Sequence, residues 1–135
     1  MEISKIPFVK LTNIKQSKNT LSLDFNNDIL NHINTIHAGA QFTLAETQSG
    51  VFLQEIFPQL KDKVLPILRD AKIKYKKPAQ ENIFAVSSIS DEDISKFNEQ
   101  FKRKNRATII VDVEIKDIND VTTTQASFTW FIQKI

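Results

Sequence analysis

The stretch that most restricts the fold is Ala38–Ile56, AGAQFTLAETQSGVFLQEI, which is apolar on nearly every side when wound as a helix. At about 100° per residue, Phe42, Ala45, Phe52, Leu53 and Ile56 fall on one flank, and Ala40, Leu44 and Val51 on the other. Gly39, Thr43, Glu46 and Gly50 form a small, polar stripe between them, at spacings of 4, 3 and 4. Only Gln41, Gln48 and Glu55 make a clearly hydrophilic back. A surface helix carries one apolar stripe and a broad polar face. This one should therefore be buried, with a sheet wrapped around it.

The rest of the chain supplies that sheet. Ile6 to Lys15 alternate loosely, and Leu21, Leu23 and Phe25 alternate with polar residues. Both read as strands, joined by a turn at Gln16–Asn19. Asn26-Asn27-Asp28 breaks the second, and Ile29–Ile36 is a loop into the helix, which Phe57-Pro58 ends. After a connection over 59–65, Ile67, Arg69, Ala71, Ile73 and Tyr75 share one face of a strand, with Lys72, Lys74 and Lys76 on the other. Ile83–Ile89 is the next strand. Ser90 then caps a second helix, with acids in its first turn, Ile94, Phe97 and Phe101 on one face, and Lys102, Arg103 and Lys104 at its end. Ala107–Lys116 and Val121–Ile132 close the pattern as strands. The expectation is a single α+β domain over residues 1–135, one long helix on an antiparallel sheet of five or six strands.

Composition removes several chemistries. Hydrophobic content of 41% and charged content of 25% are those of a globular domain. A net charge of +2 gives no electrostatic case for nucleic acid. With no cysteine there is no disulfide and no thiolate nucleophile. Two glycines leave no room for a glycine-rich phosphate loop, and no Gly-x-Ser-x-Gly elbow occurs. His32 and His37 lack a third ligand at a recognisable spacing, so no metal site is expected. No apolar run approaches ~20 residues, and the first residues carry no apolar signal core, so the expected setting is cytoplasmic, away from membranes.

What remains is a constellation at the long helix. Glu46 is a carboxylate among apolar neighbours, which needs a partner, a polar cleft or a raised pKa. The N–H groups of Ala38, Gly39 and Ala40 have no acceptor inside the helix, and the dipole behind them favours an anion or a polarised carbonyl oxygen. His37 stands at the same entrance.

Asn31, His37 and Glu46 keep the spacing N-x5-H-x8-E, followed by the apolar helix. The spacing resembles the hotdog-fold acyl-CoA thioesterases, in particular the phenylacetyl-CoA thioesterase-like branch, whose motif runs from Asn or Gln through His-Gly-Gly to an acid. Lys74-Tyr75-Lys76-Lys77-Pro78-Ala79 resembles the strand end of that family too. Ala38 departs from it, standing where the first Gly is usual. The resemblance implies a hotdog fold and hydrolysis of an acyl-CoA thioester, with CoA entering as substrate and no separate cofactor. It implies an active site shared across a homodimer, alone or in a dimer of dimers. Catalysis would fall to Glu46, as nucleophile or general base, with His37, Asn31 and the N–H of Ala38 or Gly39. Thr43 is counted with the substrate-binding residues, and Lys102, Arg103, Lys104 and Arg106, the densest basic group, with the CoA phosphates. A non-catalytic acyl-CoA-binding protein and a hydroxyacyl-thioester dehydratase are the alternatives, the latter without its usual His-Phe-Pro or Asp-x-Asn-Pro-x-His run.

Overall fold

The structure, a computed structural model, describes residues 2–135. Pro7 decides the first element. Its ring fixes φ near the helical value and its missing N–H costs nothing at a helix start. The segment expected as a strand from Ile6 is therefore a short helix, α1 (Pro7–Thr12), which buries Val9 and ends at Asn13 with φ 59°. Only Lys15–Ser17 (β1) is extended, and it pairs with β2 (Thr20–Leu23).

The long helix, α2, runs Ala38–Ile56. β3 (Val64–Tyr75) and β4 (Ile83–Ser88) follow, then α3 (Asp91–Lys104), β5 (Arg106–Asp117) and β6 (Thr122–Lys134). The Ser90 hydroxyl accepts the Asp93 N–H and Phe97 is buried, as the capping pattern predicts. The six strands make one antiparallel sheet in the order β1-β2-β4-β5-β6-β3. α2 lies on one face of it, against β2, β4, β5 and β6. The core between them holds Leu21, Leu44, Val111, Ile115 and Phe128.

Two expectations fail in informative ways. Of the expected hydrophilic back of α2, Glu55 is exposed, but Gln41 and Gln48 are turned inward and buried. Both are tied to the sheet through their amides. Gln41 Oε1 accepts the Thr123 and Thr124 hydroxyls at 2.8 and 2.5 Å. Gln48 Oε1 accepts the Leu21 N–H at 2.9 Å, and its Nε2 donates to Asn19 O and Ser87 Oγ. A polar side chain can be buried when its hydrogen bonds are met. Removing one partner strands the others, so Gln48→Ala should lower unfolding stability by roughly 1–3 kcal/mol, read from the midpoint of urea denaturation.

The second failure is in β3. It starts earlier than expected, and a bulge between Leu68 and Asp70 breaks the alternation. Val64 and Leu68 pack toward the core before the bulge, and Ala71 and Ile73 after it. Ile67 is 39% exposed, so it does not share a face with Ile73. A bulge adds one residue and shifts the face of everything beyond it. Pro66 is tolerated because β3 is an edge strand, bonded only to β6.

Candidate active site

The loop into α2 is built to hold His37. Leu30 and Ile36 form a bridge, the His37 N–H donates to Ile29 O at 2.8 Å, and the Ile36 N–H donates to Ala79 O at 2.8 Å. Asn31 organises the turn between. Its Oδ1 accepts the N–H groups of Ile33 and Thr35, each at 3.0 Å, and its Nδ2 donates to Thr35 Oγ1 at 2.7 Å. One Nδ2 hydrogen is left for anything else. His32 is exposed on the same loop.

His37 caps α2. Its Nδ1 accepts the Gly39 N–H at 2.8 Å, which leaves the ring proton on Nε2. Gly39 makes room for the ring, since a Cβ there would stand 3.1 Å from Nδ1. His37 O takes the N–H groups of Ala40 and Gln41. The Ala38 N–H has no acceptor among the described residues. The helix start thus offers two outward donors, Ala38 N–H and His37 Nε2–H, where three backbone donors were expected. Tyr75, which sequence reasoning missed as a site residue, braces this end by donating its hydroxyl to Ala38 O at 3.2 Å. Its place at the end of the Lys-Tyr-Lys-Lys-Pro run is the signal that could have found it.

Glu46 lies seven residues beyond Gly39 on the same stripe. It is half-buried, and burial raises its carboxyl pKa above the ordinary 4.5. The Thr47 hydroxyl beside it works slightly the other way, but donates to Thr43 O at 2.6 Å, so desolvation dominates. No cation pairs with Glu46 among the described residues. The carboxylate borders an apolar cavity of about 360 Å³, closed on one side by Ile6, Phe8 and Val9 of the N-terminal segment and on another by Trp130 and Ile132. The N-terminal residues escaped sequence reasoning as cavity wall because they read as a strand.

The expected site residues do not all meet within one chain. Glu46 is nine residues from His37, about 13 Å along the helix axis at 1.5 Å per residue. Thr43 is buried with its hydroxyl bonded to Gly39 O at 2.8 Å. Lys102, Arg103 and Lys104 close α3, and Arg106 pairs with Gln133 at the end of β6. Thr124, which bonds Gln41 near the start of α2, lies about 30 Å back along β6 at roughly 3.4 Å per residue. Lys76 and Lys77 are nearer the helix start, both donating backbone N–H to Thr123 O. No group of three or more His, Asp or Glu able to hold a metal is found among the described residues. No described helix is long and apolar enough to cross a membrane.

The family model for a domain of unknown function, DUF4442, matches residues 8–132. The chain belongs to the DUF4442 family. Solved structures share the fold of this DUF4442 member. A Pseudomonas aeruginosa protein of unknown function, described as a probable thioesterase, superposes with a TM-score of 0.82 at 20% identity, over 97% of this chain and 89% of that one. A Bacillus halodurans protein solved with CoA gives 0.71 at 24% identity, over 93% and 74%. A Haemophilus influenzae thioesterase gives 0.75 at 11%, over 98% and 86%. At these identities the likeness speaks to the fold, and the fold is the hotdog fold. No curated protein matches the chain in sequence.

Proposed function

We propose that this DUF4442 protein is an acyl-CoA thioesterase whose active site is completed across a homodimer. The observation that carries it is the division of chemistry along α2. Donors for a carbonyl oxygen stand at the helix start, and an unpaired carboxylate with a raised pKa stands about 13 Å further on. Each chain exposes two halves of a hydrolytic site that it cannot itself close.

In this reading the thioester carbonyl sits at the start of α2 in one subunit. Ala38 N–H, His37 Nε2–H and the helix dipole stabilise the oxyanion as it forms. Glu46 of the other subunit removes a proton from water as the water oxygen adds to the carbonyl, and the C–S bond breaks to release the free acid and CoA as thiolate. If the carboxylate itself adds, the thiolate leaves and water then opens the acyl anhydride. Lys76 and Lys77, near the helix start, and the Lys102–Arg106 group are the two basic surfaces available to the CoA phosphates. The Bacillus halodurans neighbour solved with CoA supports a CoA ligand for this fold.

A second reading, acyl-CoA binding without chemistry, draws on the single free backbone donor at the helix start. Release of free thiol from a panel of short, long and aromatic acyl-CoA thioesters separates the two. Turnover abolished by Glu46→Ala supports hydrolysis. Absence of turnover on every member by a folded protein favours the binder.

A further inference from the structure

The cavity beside Glu46 extends well beyond the carboxylate. It follows α2 from Thr43 to its C-terminal end, about 20 Å of helix at 1.5 Å per residue, and reaches Phe57 just beyond. Its polar side chains are turned away from its interior. Thr43 and Thr47 donate their hydroxyls back to the helix carbonyls of Gly39 and Thr43, leaving their methyls to the wall. Trp130 commits its Nε1–H to Ser49 Oγ at 2.9 Å and presents carbon to the space. Gln54, Lys61 and Asp62 are exposed at the far rim. Glu46 is thus the carboxylate at one end of an apolar trough.

Gly50 lies in the middle of that trough. A glycine inside a helix lowers its stability by roughly 0.5–1 kcal/mol relative to alanine. Nothing in its immediate contacts demands it, since a Cβ would meet the Trp130 ring at 3.6 Å, an ordinary distance. A longer side chain would enter the cavity over Trp130. The space itself is what the glycine preserves.

We propose that the trough holds the acyl chain of the substrate, that this chain is a straight aliphatic one of medium length, and that Gly50 and Phe8 set how much of it fits. The proposal rests on the reading of Glu46 as the hydrolytic carboxylate. The volume of about 360 Å³ admits on the order of a dozen non-hydrogen atoms, at about the 30 Å³ that a water molecule occupies. A compact aromatic acyl group stays next to Glu46 and leaves the Phe57 end of the apolar wall uncovered. An extended chain of similar atom count runs further along the wall, toward the Phe57 end. Phe8, 58% exposed, forms the outer lip.

Two measurements test this together. The first is kcat/KM for butyryl-, decanoyl- and phenylacetyl-CoA in the native protein, Gly50→Leu and Phe8→Asp. The second is the emission of Trp130, the one tryptophan of the chain, titrated with decan-1-ol. Native protein should prefer the decanoyl ester and respond to decan-1-ol. Gly50→Leu displaces about three methylene positions, each worth roughly fourfold in affinity, so the decanoyl-to-butyryl ratio should fall on the order of 50-fold. Decan-1-ol binding should weaken in parallel. Phe8→Asp alters an exposed position and carries the same test if Gly50→Leu fails to fold. It should cut the decanoyl preference while leaving the melting transition in place.

A native preference for phenylacetyl-CoA, or a decanoyl-to-butyryl ratio unmoved by Phe8→Asp in a folded protein, overturns the proposal. Decan-1-ol binding that both variants weaken, without hydrolysis of any ester, keeps the acyl trough and removes the thioesterase. Hydrolysis with no Trp130 response to decan-1-ol removes the trough and keeps the thioesterase.

Discussion

Glu46→Ala and His37→Ala subunits, each inactive alone, should regain about a quarter of native turnover when denatured together in equal amounts and refolded. Random pairing in a two-fold dimer gives about half mixed dimers, and each of these has one site with both native groups and one with neither. The expectation follows from distance. His37 and Glu46 are nine positions apart along the helix, too far for side-chain rotation to bring both to one thioester carbonyl. In the proposed site the two halves meet because a second α2 lies alongside the first. If the active groups instead belonged to one chain, mixing would restore nothing. Mixed dimers confirmed by mass, with turnover no higher than either parent, would sink the shared site.

Glu46→Gln should lower kcat by 10²- to 10⁴-fold, the range of a positioned acid or base, while raising the melting temperature at neutral pH. Both follow from a carboxylate beside an apolar cavity without a cation partner. Catalysis needs it ionised, so native kcat should rise with pH through a midpoint above the ordinary 4.5. Burial raises the folded-state pKa above the unfolded one, so the folded state holds the proton more tightly. The native protein therefore has its full stability from this group below about pH 4.5 and loses it as pH climbs through the folded pKa. The glutamine has no proton to lose. Its advantage in melting temperature should be largest at neutral pH and vanish in acid. An advantage that persists unchanged at low pH would remove the desolvated carboxylate as its cause. A site that gives up stability for reactivity is a common bargain among enzymes.

The sequence revealed most where one residue type answers one local demand. The bounds of α2 are readable because Phe57-Pro58 cannot continue a helix, and α3 is readable because Ser90 and three acids precede its apolar face. Hydrophobic pattern misleads where a polar side chain is buried by hydrogen bonds to distant strands. Gln41 and Gln48 look like a wet face, and nothing in their neighbours shows that Thr123, Thr124 and Leu21, distant in sequence, will reach them. The loose alternation of Ile6–Lys15 hides α1, because Pro7 starts a helix locally whatever the periodicity around it suggests. The bulge in β3 is a property of its pairing with β6 and leaves no mark on β3 alone. At the site, the helix entrance and the acid among apolar residues could be read from spacing. The hydrogen bonds that tie Asn31 to its own turn and His37 to Gly39 could not, since each depends on a backbone path.

The inward glutamines have a consequence for precision. Gln41 and Gln48 are two helical turns apart, on a line nearly opposite the stripe of Gly39 and Glu46. Bonded to β2, β4 and β6, they stop α2 from rolling about its axis. The aim of the Glu46 carboxylate is thereby set from behind, by amides that no substrate touches. Catalytic groups tolerate errors well under an ångström. Damage at that hidden row would therefore cost alignment as well as stability, in a molecule that still folds.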